Sequence, residues 1–326
     1  NLLGGLGEQG GQTALNNMRA RGDKWLDLVR QLEEFEDVPP ARRPSPTPPI
    51  AARPDRLSVT EIKRLIRDPY AIYAKHVLRL KKIGPLVQTA DALMRGNLAH
   101  DILERFVKDS IADPALLSKE HFLNVVQHIL NDGAPWPAAR AMWFARLAGI
   151  AEWFVNSERH RRETAIPIAF EDDATGVLNL TELGFTLTAR ADRIDRDSTG
   201  EILIYDYKTG TPPSQAQQEK FDKQLLIEAA MIEEGAFSNL PPAKVSAATF
   251  IGLGTSPKEV MAPINDEKPN IILKELRDLI SAYLDQNQGF TSRRMMEKEA
   301  YGGDYDQLAR YGEWDTTLDP TPEDLT

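Results

Sequence analysis

The stretch Glu201-Ile-Leu-Ile-Tyr-Asp-Tyr-Lys208 has the composition of a buried β-strand that ends in charged residues. Side chains two residues apart share one face of a strand, so one face carries two isoleucines followed by Asp206 and Lys208, the last two about 6.8 Å apart. A glycine and two prolines follow and end the strand. A carboxylate and an ammonium group at the end of an apolar face predict either a cleft or an ion pair at a strand terminus.

The preceding stretch, Phe185-Thr-Leu-Thr-Ala-Arg-Ala-Asp192, alternates strictly between apolar and polar residues, which predicts a second, half-buried strand. The polar segment Asp195–Gly200 lies between the two and ends in Ser-Thr-Gly, a composition typical of a hairpin turn. A hairpin of these two strands would bring Asp192 close to Asp206.

Two carboxylates at such a distance repel each other, so one of them becomes protonated unless a cation holds both. A hard divalent ion such as Mg²⁺ is the natural partner of oxygen ligands. The alternative is that Asp192 pairs with Arg190 or Arg193 in a surface network.

A third set of polar residues lies in Gly96-Asn-Leu-Ala-His100-Asp-Ile-Leu-Glu104, where Gly96, His100 and Glu104 fall on one helix face. Glycine at position 96 removes a side chain where another group would have to approach closely. A single histidine on a helix is usually a structural residue, but this one accompanies the two acidic residues described above.

These motifs, in this order, resemble the RecB-like family of PD-(D/E)xK nucleases. The family pattern stands here as Gly-Asn-Leu-Ala-His at 96–100, Ala-Asp-Arg-Ile-Asp at 191–195, Asp-Tyr-Lys-Thr-Gly at 206–210 and Gln224-Leu in the following helix. Further stretches resemble the AddB subunit of AddAB-type helicase–nucleases, so that the resemblance extends from about Arg53 to Trp314. They are Ser58-Val-Thr-Glu-Ile, Asp68-Pro-Tyr-Ala-Ile-Tyr73, Gly303-Asp-Tyr-Asp-Gln-Leu-Ala-Arg310 and Glu313-Trp314.

The resemblance implies a role for each matching residue. Asp192 and Asp206 match the metal-binding acidic pair, and His100 matches the histidine that reaches the metal. The backbone carbonyl of Tyr207 would supply a further ligand. Lys208 matches the lysine that orients or activates the attacking water and steadies the charge on the phosphate.

The remaining matches imply supporting roles. Gln224 matches a glutamine that contacts the site or the substrate, and Glu104 and Gly96 stand at supporting positions. The family usually has a tyrosine four residues after this glutamine, where this chain has Glu228. A role for Glu228 near the metal or the substrate stays open.

The resemblance further implies an α+β fold of restriction-endonuclease type, with a central mixed sheet flanked by helices and a large helical insertion before the sheet. It implies hydrolysis of DNA with Mg²⁺, or Mn²⁺ in its place, during double-strand break resection, with the 5′-ended strand as the expected target. An AddA-type helicase–nuclease subunit would be the partner, in the bacterial cytoplasm at the nucleoid. The alternatives are a catalytically inactive domain kept as a scaffold or DNA clamp, and an independent site-specific endonuclease.

Composition limits other classes of function. The 326 residues carry a net charge of −10, unlike a simple DNA-coating protein, and include no cysteine, so this chain holds no iron–sulfur cluster. No apolar run approaches the roughly 20 residues that cross a bilayer. The chain begins with Asn1 rather than Met, which suggests a fragment of a larger subunit.

One segment is basic in this acidic chain. Residues 53–82 contain nine lysines and arginines against three acidic residues, a charge of +6. Lys63, Arg64 and Arg67 are therefore candidate phosphate contacts, although a solvated helix face is an equally good interpretation. Tyr70 and Tyr73 could stack on bases, but a core role is favoured.

The expected domain organisation has three parts. Residues 1–52 form a helix over 15–34 and a proline-rich strap from Val38 to Pro49, which is expected not to pair in a sheet. Residues 53–290 form the nuclease domain, with helices expected at 89–110, 118–131, 137–161, 217–234 and 270–287. Residues 291–326 form a tail that packs on it.

Overall fold

The computed structural model describes residues 5, 7–34, 39–84, 86–87, 89–296 and 302–325, so the start of the predicted strap at Val38 lies outside the described residues. Its contacts divide the chain into two compact units, Asn1–Ala41 and Arg42–Thr326. The first unit contains helix α1 (Gln12–Glu33), close to the predicted helix, in which Leu15 is the one buried residue among those described. The predicted domain boundaries at residues 52 and 290 stay predictions.

Strands of the second unit form three sheets. They are β1 (Pro44–Thr47), β2 (Arg56–Ser58), β3 (Ala165–Phe170), β4 (Thr175–Leu180), β5 (Phe185–Arg190), β6 (Arg193–Asp197), β7 (Ile202–Lys208), β8 (Val245–Gly252), β9 (Lys258–Met261) and β10 (Thr321–Asp324). The largest sheet has the order β3-β6-β7-β8-β9, and a three-stranded sheet has the order β2-β5-β4. In the largest sheet β7 and β8 are parallel and the other neighbours are antiparallel, so the sheet is mixed.

Helices cover both faces of β7. The described α-helices of the second unit are α2 (Val59–Arg67), α3 (Pro69–Ile72), α4 (Ala92–Ala112), α5 (Lys119–Gly133), α6 (Pro137–Thr164), α7 (Gln215–Lys220), α8 (Gln224–Glu233) and α9 (Pro269–Leu284). Ile202 and Ile204 face the core that contains α8 and α9, whereas Tyr205 and Tyr207 face the core formed with α4, α5 and α6. The predicted fold class is confirmed: a restriction-endonuclease-like mixed sheet flanked by helices, with a helical insertion before its central strands.

The predicted hairpin has a different first strand. The alternating stretch from Phe185 ends at Arg190 and pairs with β4 and β2 in the three-stranded sheet. The polar residues Arg193–Asp197 form β6, which pairs with β7, and the turn lies beyond Asp197, where Gly200 adopts a φ of +90°. A polar strand can occupy the centre of the sheet because its buried charges are paired, as described below.

The expectation that the proline-rich strap does not pair in a sheet is wrong. Pro44–Thr47 runs parallel to Thr321–Asp324. The carbonyl groups of Pro44 and Pro46 accept hydrogen bonds from Ser292 and Phe290 on the other side. The prolines thus fall at alternate positions, where the strand uses their carbonyl groups and loses little by their missing N–H groups.

The helix predicted over 217–234 is also interrupted. Phe221, with φ −133°, ends α7, and α8 begins three residues later at Gln224. Asp222, which lies in the break between α7 and α8, forms ion pairs with Lys63 and Arg67 of α2. The break is thereby connected to α2.

Helix α2 begins in a capping box, in which Ser58 N–H donates to Glu61 Oε2 at 2.9 Å. Lys75 Nζ and His76 Nε2 lie 2.6 and 2.8 Å from Glu61 Oε1. Burial opposes the charged carboxylate, but these hydrogen bonds outweigh it and lower the pKa of Glu61 to about 2.

We therefore expect Glu61 to stabilise the fold above its ordinary pKa, 4.5, and to lose that contribution as the pH falls towards 2. Glu61→Gln should cost on the order of 2 kcal/mol of unfolding free energy at pH 7 and much less at pH 2.5. Urea unfolding at several pH values measures this, with the exposed Glu120→Gln as the control. An equal deficit for Glu61→Gln at both pH values would contradict the assignment.

Candidate metal centre and active site

Asp192 lies at the junction between β5 and β6, beside the end of β7. Its Oδ2 accepts a hydrogen bond of 2.7 Å from the backbone N–H of Tyr207. The backbone carbonyl of Tyr207 lies 3.1 Å from His100 Nε2. The backbone of one residue of β7, Tyr207, thus connects the acidic residue before β6 with the histidine of α4.

His100 directs its other ring nitrogen at two carboxylates. Nδ1 lies 3.1 Å from Glu171 Oε1 and 3.4 Å from Asp192 Oδ1. One ligand atom from each of these three residues lies within 4.8 Å of the others, an arrangement that could hold a metal ion. With Nε2–H donating to the Tyr207 carbonyl, the Nδ1 lone pair would face the metal.

Glu171 is the member of this cluster that the sequence did not predict. It follows β3 directly and has a φ of +34°, an unfavourable conformation for a residue other than glycine. Arg190 Nε lies 3.3 Å from its Oε2. The sequence offers only an acidic residue directly after a short apolar stretch, since no motif spacing relates Glu171 to His100.

Asp206 and Lys208 form the second half of the site. Asp206 is 2% exposed, and its Oδ2 lies 2.6 Å from Lys208 Nζ, so the predicted common face is confirmed. Gln224 Nε2 donates to Asp206 Oδ1 at 2.7 Å, and Gln224 Oε1 lies 3.4 Å from Lys208 Nζ. Asp206 therefore faces Lys208 and Gln224 rather than the cluster of His100, Glu171 and Asp192, and its predicted role as a metal ligand stays a prediction.

The pKa values reflect the concentration of negative charge. Burial opposes the His100 imidazolium, but hydrogen bonds to Asp192 and Glu171 outweigh it and raise the pKa of His100 to about 10. Burial, together with the charge of Asp192, raises the pKa of Asp206 to about 6. Without a metal, the protonated histidine and Lys208 supply the positive charge that the carboxylates require.

These residues line an open cleft of about 900 Å³. Gly96, His100 and Glu104 all line it, so the predicted helix face is confirmed as a wall of the cleft. Glu104 is paired with Lys108 at 2.6 Å. A Cβ atom added to Gly96 would meet no described atom within 4 Å, so this glycine leaves open space in the cleft.

A buried ion network lies under the site. Arg193 is fully buried and donates to both carboxylate oxygens of Asp195, at 2.6 and 2.7 Å, and to Glu158 of α6 at 2.6 Å. Its guanidinium group also lies 3.4 Å from the hydroxyl group of Tyr207. The alternative prediction, that Asp192 pairs with Arg190 or Arg193, is therefore wrong. The charge of Arg193 belongs to this buried network, and Arg190 contacts Glu171 and Asp172.

The basic segment is largely paired within the chain. Lys63 and Arg67 contact Asp222, and Arg64 Nη2 lies 3.7 Å from Asp304 Oδ2. Lys63 and Arg67 also line a second groove, which shares Lys208 and Gln224 with the main cleft. Their predicted contacts with phosphate stay predictions.

Tyr70 and Tyr73 are each 7% exposed, with ring centroids 5.5 Å apart. Their side chains therefore belong to the core, as the sequence analysis favoured, and are not free to stack on bases.

None of the helices in the described part of the chain combines the length and the apolar composition that crossing a bilayer requires.

Comparisons with known proteins agree with this geometry. The chain is 33% identical to an uncharacterized protein of Rickettsia conorii over 190 residues, which cover 57% of this chain and 23% of that protein. It is 32% identical to an uncharacterized protein of Rickettsia typhi over 203 residues, covering 59% and 24% of the two chains. The chain thus spans about a quarter of the length of these curated relatives.

A crystal structure of a protein named SSO0001 is 12% identical, covers 81% of this chain and 86% of that one, and has a TM-score of 0.31, a likeness too low to support any conclusion. Residues 56–297 match the family described as the PD-(D/E)XK nuclease superfamily. Since this match takes in most of the chain, the chain belongs to the PD-(D/E)XK nuclease superfamily, a family of metal-dependent nucleases.

Proposed function

We propose that this chain hydrolyses phosphodiester bonds of DNA with a bound divalent cation, Mg²⁺ in the cell, for which Mn²⁺ can substitute. The observation that supports this most strongly is the convergence of His100, Glu171 and Asp192 within 4.8 Å, beside the Asp206–Lys208 pair in one open cleft.

The donor set fits such an ion. Carboxylate oxygens suit Mg²⁺ and Mn²⁺, and an imidazole nitrogen is compatible with Mn²⁺. The cleft is strongly acidic, because seven aspartates and glutamates line it against one lysine and one arginine. A phosphate group would be repelled from this cleft unless a cation offset part of that charge.

A bound divalent ion would lower the pKa of a coordinated water and offset the charge that develops on the phosphate. The chain's own residues would arrange the rest. Lys208 remains charged because Asp206 raises the pKa of its ammonium group against the effect of burial. Its position beside the acidic residues allows it to orient the attacking water and to stabilise negative charge on the phosphate.

Gln224 acts as a positioning residue in this proposal. Its amide group donates to Asp206 and its carbonyl oxygen lies near Lys208 Nζ, so it fixes the separation of the two groups. The backbone N–H and carbonyl groups of Tyr207 likewise hold Asp192 and His100 from β7. These neutral groups orient the charged ones without adding charge to the cleft.

We further propose a role in end resection at double-strand breaks, with cleavage of the 5′-ended strand and an AddA-type motor subunit as partner in the bacterial cytoplasm. The support is the set of motifs that resembles AddB and the greater length of the curated relatives, of which the matched residues cover 23% and 24%. The alternative, an inactive scaffold or DNA clamp, is less favoured because Asp192, Asp206 and Lys208 are all present and close together.

Asp206→Ala and Lys208→Ala should each lower the rate of DNA cleavage in Mg²⁺ by at least about 100-fold, because each removes a charged group next to the reacting phosphate. Asp206→Ala should leave the metal-free fold no less stable, since it removes a buried carboxylate that Asp192 repels. Cleavage of linear DNA and thermal unfolding measure the two effects. Lys244→Ala, which removes an exposed lysine outside the cleft, is the control; wild-type rates in both site variants would contradict the proposal.

Gly96→Ala tests whether substrate occupies the open space above α4. Alanine favours a helix by up to about 1 kcal/mol over glycine, so the variant should be at least as stable as the wild type. Its KM for DNA should nevertheless rise, because the added methyl group projects into the cleft. Gly149→Ala, at an exposed position of α6, should give the same gain in stability with an unchanged KM. Equal KM values for the two variants would show that no ligand approaches Gly96.

A further inference from the structure

Two arginines of the helical insertion have no acidic partner. Arg95 lies near the start of α4 and Arg146 lies in α6, and both are half-buried. Neither guanidinium group forms an ion pair or a hydrogen bond with a residue that the structure describes, and the Nε atom of Arg95 is buried without a partner there. A buried donor without an acceptor is costly, so this arrangement points to an anionic ligand.

Both arginines line one small cavity at the end of β7, together with Thr209. The remaining side chains that line it are apolar, Trp143 and Leu253 among them. A charge beside an apolar wall attracts an anion more strongly than a charge surrounded by water. Guanidinium groups also match the geometry of phosphate oxygens, to which they donate paired hydrogen bonds.

This cavity adjoins the cleft but lies on the other face of the sheet from Lys208. Thr209 lines both the cleft and the cavity, and it follows Lys208 directly. Lys208 contacts Gln224 of α8, whereas Thr209 lies beside residues of α4 and α6. A nucleic-acid strand with its scissile phosphate near Lys208 would therefore bring a flanking phosphate to the two arginines.

The loops that follow β7 and β8 leave room for such a strand. They contain Thr209-Gly-Thr211 and Gly254-Thr-Ser256, which are small residues with hydroxyl groups. The loops run side by side, because Leu253 N–H donates to the Lys208 carbonyl at 2.8 Å. A Cβ atom added to Gly210 would meet no described atom within 4 Å, so the space beside this loop is open.

We propose that Arg95 and Arg146 bind a phosphate group of the substrate strand other than the one that is cleaved. Their charges would offset the repulsion of the strand by the cleft, where seven acidic residues face one lysine and one arginine. The ligand is a phosphate oxyanion, either an internal phosphodiester or a terminal phosphomonoester. The inference rests on the proposed function, because it assumes that the cleft accepts a DNA strand.

The test is the affinity of the full chain in Mg²⁺ for a single-stranded oligonucleotide with phosphorothioate linkages that resist cleavage, measured by fluorescence anisotropy at several salt concentrations. The double variant Arg95→Gln/Arg146→Gln should bind about tenfold more weakly or worse, because charge-assisted hydrogen bonds to a phosphate are lost. The slope of log K against log salt should fall by about 0.7 for one lost contact.

The matched control is Arg105→Gln/Arg159→Gln. It removes two exposed arginines from the same two helices, outside the cleft and the cavity, and should bind as the wild type does.

Neutral methylphosphonate linkages, placed one at a time along the oligonucleotide, distinguish the two sources of phosphate. If the ligand is an internal phosphodiester, the neutral group at one position should weaken binding to the wild type and leave binding to the double variant unchanged. If the ligand is a terminal phosphomonoester, the wild type should prefer an oligonucleotide with a phosphorylated end over one with a hydroxyl end, and the double variant should lose that preference.

Equal affinities and salt slopes for the wild type and Arg95→Gln/Arg146→Gln would overturn the inference, and so would an equal loss in the control. If the double variant does not fold, Arg146→Gln alone is tested in the same way. Equal binding together with intact DNA cleavage contradicts this phosphate site and leaves the proposed function standing. Weaker binding by the double variant, with no cleavage of DNA by the wild type, supports the site and contradicts the proposed function instead.

Discussion

The geometry of the candidate site depends on the backbone of a single residue, Tyr207. Its N–H group donates to Asp192 and its carbonyl group contacts His100, at 2.7 and 3.1 Å. The neighbours of Tyr207 in β7 are Asp206 and Lys208, so the strand that carries this ion pair also orients the cluster of His100, Glu171 and Asp192. Any change in the register of β7 would therefore move both halves of the site together.

The buried side chain of Arg193 in the adjacent strand β6 stabilises the register of β7. Its charge is fully buried, and it is compensated by Asp195 of the same strand and by Glu158 of the helical insertion, with the hydroxyl group of Tyr207 at 3.4 Å. Removing one member of such a network would leave an unpaired charge in the interior, which typically costs about 3–5 kcal/mol. The helical insertion thereby supports the candidate site, although Glu158 does not line the cleft itself.

Local pattern predicted the parts of the site that lie close together in the sequence. Spacing alone placed Asp206 beside Lys208 and aligned Gly96, His100 and Glu104 along one wall. It could not predict the contacts between distant segments: Glu171 lies 71 residues from His100, and Glu158 lies 35 residues from Arg193. The sequence of β6 alone is polar and therefore resembles a turn, because its partner Glu158 lies on a distant helix. The strap likewise pairs with a strand some 276 residues away.

The charge counted along the basic segment overstated its free charge, because contacts between distant segments are not visible in a local count. Asp222 and Asp304, from elsewhere in the chain, form ion pairs with Lys63 and Arg64 of that segment.

The proposed function requires that His100, Glu171 and Asp192 bind a divalent metal ion. A crystal structure of the chain in saturating Mn²⁺, with data collected at a wavelength that gives anomalous scattering from manganese, tests this most directly. We expect an anomalous peak about 2.1–2.3 Å from His100 Nδ1 and from a carboxylate oxygen of each acidic residue. Saturating Mn²⁺ with no peak at this cluster, and with the His100 ring still bound to the two carboxylates, would contradict it.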